Sequence, residues 1–314
     1  MTHERSATAR NQGTPQAEGN RMLRLVLREM RVWQWTKNLL VLAGVVFALE
    51  IDDPSQVLRA LAATGLFCLL SSATYVFNDL RDLENDRVHP RKRLRPIASG
   101  ALSVGFGWTL AGLLAAGGVG LGFGLTTGFG MVAVAYLLLN LAYSLYLKRI
   151  VLLDVLIVAL GFVLRAVAGV EALAPRPELS PWLLVCTMFL ALFIVVGKRR
   201  HERTALSEDA AGRHRATLVE YSPQLLDQLV PVVTGSTILA YALYAITPSA
   251  PGHLADERMV YTIPFVIYGV FRYLYLVYEK GEGGAPSELL LADRPLMINI
   301  ALWGAAILAI LYLR

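Results

Sequence analysis

The stretch best equipped for chemistry is Tyr75-Val-Phe-Asn78-Asp79-Leu-Arg-Asp82-Leu-Glu-Asn-Asp86-Arg-Val-His-Pro90. Read as one helix running unbroken to Pro90, its four-residue spacing stacks Asn78, Asp82 and Asp86 on a slowly drifting stripe. Tyr75 lies a turn earlier on the same side, and Asp79 flanks the stripe. Stacked carboxylates repel one another, so something positive must offset them. Oxygen-only ligands on a loose stripe suit Mg²⁺, which keeps several waters and shares itself with substrate phosphates. No His or Cys is placed to recruit a softer metal. The plainer reading is a solvated helix end, in which Arg81 and Arg87 neutralise the acids.

Three neighbouring clusters weigh against the plainer reading. Arg91-Lys92-Arg93-Leu-Arg95-Pro96 follows at once, and acids for a metal beside bases for phosphate oxygens are what a diphosphate requires. Adsorption to a lipid surface accounts for the bases alone. Lys148 and Arg149 close a second apolar run, with Asp154 just beyond. Gly197-Lys198-Arg199-Arg200-His201-Glu202 leaves a third, into what reads as a long polar loop. Taken singly, the last two are ordinary juxtamembrane patches. Together they point to a shared pocket.

The elements that must position these groups are membrane helices. Hydrophobic residues make up 55% of the 314 and charged residues 17%, with a mean hydropathy of +0.52, against about 25% charged in ordinary soluble chains. Apolar blocks of the length that crosses ~30 Å of hydrocarbon fall at 36–50, 57–78, 101–122, 128–147, 151–171, 180–197, 223–247, 259–278 and 295–313. The first is short and extends back through Trp33 and Trp35, which suit an interface. The expected fold is an all-α integral membrane bundle of about nine transmembrane helices, occupying 21–314 as a single domain. Residues 1–20 are polar, lack the apolar core of a signal peptide and read as a disordered tail.

Lys and Arg crowd into the tail and the alternate links 79–100, 148–150, 198–222 and 279–294. The opposite links hold only Arg59, Arg176, Arg258 and Arg314. That asymmetry places the tail and all the basic links in the cytoplasm of a plasma (inner) membrane protein. The net charge of +5 is therefore mostly topology and gives no sign of a nucleic-acid partner. Cys68 and Cys186 lie inside apolar runs, which argues against a disulfide framework or a zinc site. HExxH, P-loop and GxGxxG patterns do not occur. The small-residue runs Gly112–Gly130 and Ala166-Val-Ala-Gly169 suit close helix packing.

Two arginines fall within spans. Arg165 lies on the face of Asp154 but about 16 Å deeper, and two readings stand: it holds an anionic substrate, or it pairs structurally. Arg272 lies close enough to a span end to snorkel.

The Asn78-Asp79-x-x-Asp82-x-x-x-Asp86 pattern resembles the first aspartate-rich motif of the UbiA superfamily of intramembrane transferases, and Tyr143-Ser-Leu-Tyr-Leu-Lys148 is similar to its tyrosine-and-lysine motif. The similarity runs from about Met30 through nearly the whole chain. One departure matters: the superfamily's second motif, DxxxD, is replaced by Gly197-Lys-Arg-Arg-His-Glu202, with only the isolated Asp209 beyond. With Gln34-Trp-Thr-Lys37-Asn38 and Arg95-Pro-Ile-Ala-Ser-Gly100, this resembles the branch that moves phosphoribose rather than a prenyl group.

That resemblance implies phosphoribosyl diphosphate as donor, a polyprenyl (decaprenyl-type) phosphate lipid as acceptor and Mg²⁺ as cofactor, in synthesis of cell-envelope polysaccharide precursors; a homo-oligomer is compatible with it. Asn78 and Asp82 are then expected to hold the metal, with Asp79 or Asp86 supporting catalysis directly or through water. Lys37, Lys92, Lys148, Lys198 and Arg199 are expected to bind donor phosphates, and Tyr75 a donor phosphate or ribose hydroxyl. A prenyl transferase acting on an aromatic ring, a transporter and a non-catalytic lipid-binding protein are the rival readings.

Overall fold

In a computed structural model the described residues are 15–205, 216–247, 257–284 and 286–313. They are helical, with no strand among them, and eight helices are long and apolar enough to cross a bilayer. The expected tail lies outside the described residues up to residue 14. Its last part is corrected, because helix α1 (Pro15–Glu29) already covers it.

The expected first span also differs in kind. Arg31 adopts a left-handed backbone (φ 53°) and turns the chain into a 3₁₀ helix, Val32–Leu42, continued by α2 (Ala43–Phe47). At the rises of the two helix types this segment reaches about 30 Å, enough to match the hydrocarbon layer. Side chains anchor it: Trp35 Nε1 donates to Ser72 Oγ at 3.1 Å, and Asn38 Nδ2 to Ser71 Oγ at 3.1 Å.

The eight regular spans begin with α3 (Pro54–Arg81), which α4 (Leu83–Val88) extends. After α5 (Val104–Leu125), α6 (Thr127–Leu145), α7 (Leu153–Glu171) and α8 (Pro181–Ala205) comes the short α9 (Ala216–Glu220). Then follow α10 (Pro223–Ile246), α11 (Ile263–Tyr278) behind a 3₁₀ turn, α12 (Pro286–Ala292) and α13 (Arg294–Tyr312). Their starts follow from local chemistry. Asp53, Ser103, Thr126, Ser222 and Asp293 each accept a backbone N–H of the first turn, satisfying donors that have no intrahelical partner. Lys198–Ala205, expected as loop, is instead the last two turns of α8.

Leu58, Leu113, Leu138, Leu239 and Ile298 stand exposed on the outer faces of these helices, as lipid contact requires. Inside, Phe67, Leu70, Phe129 and Tyr136 pack around α3, and Phe193, Tyr221, Leu226 and Tyr273 pack around α8 and α10. Lipid tails are as apolar as leucine, so close fit holds such a bundle together. At Gly44 and Gly169 two backbones touch: a Cβ on Gly169 would stand 2.0 Å from the Val41 carbonyl oxygen. Arg272 reaches Asp293, the capping residue of α13, and stays partly exposed. It grips Asp293 with two hydrogen bonds, at 3.1 and 2.8 Å.

Candidate active site

The acidic stripe is not one continuous helix face. α3 ends at Arg81, and Asp82 caps it with φ −95° and ψ 11°, so the helical run is interrupted before α4. This break sorts the acids into an open pair and a closed pair.

Asn78 and Asp82 form the open pair and face the end of α6. Ser144 Oγ donates to Asn78 Oδ1 at 3.2 Å, and Lys148 Nζ reaches the same oxygen at 3.5 Å. Lys148 also bonds both Asp82 carboxylate oxygens, at 2.8 and 2.9 Å. These side chains stay partly open, Asp82 being 30% and Lys148 20% exposed.

Asp79 and Asp86 form the closed pair. Arg95 binds both, at 2.9 Å to Asp79, and Arg31 also binds Asp79. Both carboxylates are almost wholly buried. Burial pushes the Asp86 carboxyl above its usual range, against the pull of Arg95. The expectation that Asn78, Asp82 and Asp86 share one stripe is thereby corrected: Asp86 joins Asp79 in anchoring arginines, while Asn78 and Asp82 stay partly exposed beside Lys148. Lys92 sits half-buried among the carboxylates, and loss of water pulls its ammonium below the ordinary lysine range.

Glu29, at the end of α1, was not singled out from the sequence, where it is one acid on a basic helix. It is 1% exposed, and its Oε2 accepts the Ile97 N–H at 3.4 Å. Burial, reinforced by Asp79, raises its carboxyl to about 7. Arg31 and Arg95 were likewise missed as partners of particular acids.

The basic residues separate in the same way. Arg199 is turned away from the opening and locked against Asp154 at 3.2 Å and Glu202 at 2.6 Å, while Tyr221 donates its hydroxyl to Asp154 at 2.6 Å. Its expected role in donor binding is corrected to a structural one, since its guanidinium is engaged and 5% exposed. Lys198 is more open, 38% exposed, and contacts Glu202 loosely at 3.6 Å. Its charge, with those of Arg165 and Arg31, acts on the Lys37 ammonium. Tyr75 lies under Arg31, whose guanidinium carbon is 5.0 Å from the ring centre.

Among the described residues no group of three His, Cys, Asp or Glu could by itself cage a metal. Mg²⁺ needs no such cage, because one or two carboxylates plus substrate phosphates suffice. Asn78 and Asp82 offer hard oxygen ligands, and the Lys148 ammonium lying between them shows that the locus accommodates positive charge. A groove of about 280 Å³ adjoins this site, between α3, α5 and α6. Thr74 and Asn140 line it, each one turn from Asn78 and Ser144 respectively, and Phe77, Trp108 and Leu138 make its walls apolar.

The model of the UbiA prenyltransferase family matches residues 38–292. The chain belongs to this family. Among its UbiA relatives, the decaprenyl-phosphate phosphoribosyltransferase of Corynebacterium glutamicum is 36% identical over 92% of this chain and 87% of its own. That of Mycolicibacterium smegmatis is 35% identical over 91% and 92%. A UbiA homologue from Archaeoglobus fulgidus, solved bound to GPP and Mg²⁺, superposes with a TM-score of 0.70 at 19% identity, over 91% of this chain and 99% of that one. At that identity the likeness shows a shared fold. The UbiA bundle here is thus a multi-pass membrane protein whose charged site lies at one end.

Proposed function

We propose that this enzyme transfers 5-phosphoribose from phosphoribosyl diphosphate to a polyprenyl phosphate, releasing diphosphate, at the cytoplasmic face of the plasma membrane. The product then serves a later step of envelope polysaccharide synthesis. The observation that carries this reading is the open Asn78–Asp82–Lys148 constellation, in which hard oxygen ligands and a lysine ammonium meet at the end of the bundle. One acidic pair suits a single metal-bound diphosphate. Where a prenyl transferase of the family carries further acids, this chain has Lys198, whose charge acts on Lys37. Two phosphorylated substrates bring more negative charge than a prenyl diphosphate does, and added cations answer it.

Asn78 and Asp82 would hold Mg²⁺, which would supply positive charge against the diphosphate. The remaining work falls to side chains already in place. Lys148 can pass from Asp82 to an incoming phosphate oxygen, and Lys92 covers the acids from the loop after α4. As the C1–O bond to diphosphate lengthens, negative charge grows on the leaving group and these fixed cations stabilise it most there. The departing diphosphate keeps the bonding electron pair, and an acceptor phosphate oxygen forms the new bond to C1. That oxygen is already anionic, so no strong general base is required. The apolar groove beside Asn78 suits an isoprenoid chain.

The test uses the purified full chain with Mg²⁺, labelled phosphoribosyl diphosphate and polyprenyl phosphate. Labelled lipid is the expected product. Label moving only from a prenyl diphosphate to an aromatic acceptor would select the prenyl-transfer alternative.

A further inference from the structure

The least expected charge in the bundle is Arg165. It lies in the interior of α7 and is 5% exposed. An arginine inside a membrane protein is ordinarily paired with an acid or turned to a water-filled path. Here all its hydrogen-bond partners are neutral: Asn38 Oδ1 at 2.8 Å, the Gly161 carbonyl at 2.8 Å and the Tyr136 hydroxyl at 2.9 Å. Phe67, Tyr136 and Phe162 surround the guanidinium, with ring centres 6.0, 5.0 and 5.2 Å away. Rings and neutral acceptors soften a positive charge without cancelling it. Of five guanidinium N–H groups, these bonds engage only three.

Lys37 deepens the imbalance. The charges that act on its ammonium among the described residues are those of Lys198, Arg165 and Arg31, all cations. It forms no ion pair with any described residue. Arg31 lies over the Tyr75 ring, its guanidinium carbon 5.0 Å from the ring centre, and Arg165 also acts on the Tyr75 hydroxyl. Asn38 fixes the depth of the group, because it bonds Arg165 and also Ser71. Ser71 is two turns, about 10 Å, from Asn78 along α3.

We propose that Lys37 and Arg165, with the Tyr75 hydroxyl beside them, form a second anion subsite inside the bundle that takes a phosphate monoester. It is separate from the diphosphate locus at Asn78 and Asp82. A buried arginine and a partly exposed lysine with no counter-charge between them are costly, and an entering anion removes that cost. A sugar with diphosphate at one end and phosphate at the other bridges the two levels. A prenyl diphosphate, anionic at one end only, leaves the inner cations bare. The subsite is therefore also a specificity device. The identity of its ligand rests on the phosphoribosyl reading, whereas its existence does not. Two sources supply the monoester, the donor's 5-phosphate and the acceptor's lipid phosphate.

The test is equilibrium binding to the full chain in detergent without Mg²⁺, using ribose 5-phosphate and farnesyl phosphate as separate probes. At least one probe is expected to bind wild type and to weaken at least about tenfold in Lys37→Met and Arg165→Gln, the scale of a lost charge-assisted hydrogen bond. Asp82→Asn is expected to bind it as wild type does. Loss confined to ribose 5-phosphate assigns the subsite to the donor; loss confined to farnesyl phosphate assigns it to the acceptor; loss of both means that either source can fill it. If neither probe binds wild type, or both bind the variants equally well, the subsite is overturned. Should Arg165→Gln fail to fold, Lys37→Met decides, because Lys37 holds no described partner in place. Failure of the transferase reading shows separately, as absence of labelled lipid from wild type.

Discussion

The Lys148 ammonium lies 2.8 and 2.9 Å from the two carboxylate oxygens of Asp82, with Asn78 Oδ1 3.5 Å away. One lysine thus marks where a cation rests between the open ligands. Asp82→Ala is expected to lower lipid labelling by a factor of about 10² or more, the scale of losing a group that stabilises developing charge. Asp82 is 30% exposed, so the variant's melting temperature in detergent is expected to stay near wild type. Wild-type turnover in Asp82→Ala would remove the metal assignment.

Arg95 plays a different part, joining Asp79 to Asp86 across the break between α3 and α4. Arg95→Gln leaves two buried carboxylates short of a partner. Breaking a buried pair costs about 3 kcal/mol or more, so a clear drop in melting temperature is expected. Asp86→Asn in the Arg95→Gln background is expected to recover part of it, because it removes one of the stranded charges. No recovery would mean that Arg95 acts through packing alone.

How these residues divide could be read only in part beforehand. The spans were legible because apolar blocks and capping residues are local signals. The stripe was legible because Asn78, Asp82 and Asp86 recur every four residues. The break at Asp82 was not, since nothing between Arg81 and Leu83 is a helix breaker. Nor were the partners: Arg31 meets Asp79 across 48 positions and Arg199 meets Asp154 across 45, and spacing along a chain carries no such information. The 3₁₀ form of Val32–Leu42 depends on bonds to Ser71 and Ser72 in another helix. Lys198 and Arg199 look interchangeable as neighbours, yet successive positions on a helix face different ways.

That last pair gives a direct contrast. Lys198→Ala is expected to raise the Michaelis constant for phosphoribosyl diphosphate several-fold with little change in melting temperature. Arg199→Ala takes the buried guanidinium away from Asp154 and Glu202 and is expected to destabilise the protein. Both are checked by donor titrations beside thermal melts. Equal effects of the two variants on donor binding would return Arg199 to the site.

Glu29 makes stability depend on pH. Its carboxyl is raised from 4.5 to about 7 by burial first and Asp79 second. The folded protein therefore holds a proton between those values that the unfolded chain has released. Stability falls as pH rises through this window, opposite to the usual salt-bridged acid. Glu29→Gln keeps a neutral group at the site, so melting temperatures of the variant and wild type are expected to diverge from pH 5 to 8, wild type dropping more. Parallel curves would mean that Glu29 is already charged at pH 5.

Gly169 ties the inner cations to the fold. A methyl group there would stand 2.0 Å from the Val41 carbonyl oxygen and 3.2 Å from the Gly44 nitrogen, both backbone atoms that cannot rotate away. Gly169→Ala must push the segment bearing Val41 off α7, and overpacking of this kind costs about 1–3 kcal/mol or more. The same segment carries Lys37, and its Asn38 orients Arg165 on α7, so displacement pulls the two cations out of register. A lower melting temperature is expected together with weaker substrate binding. Gly65→Ala, in α3 with nothing within 4 Å of the added carbon, is the control and is expected to be neutral or stabilising, since alanine favours a helix. Both variants melting alike would mean that the two segments separate without cost.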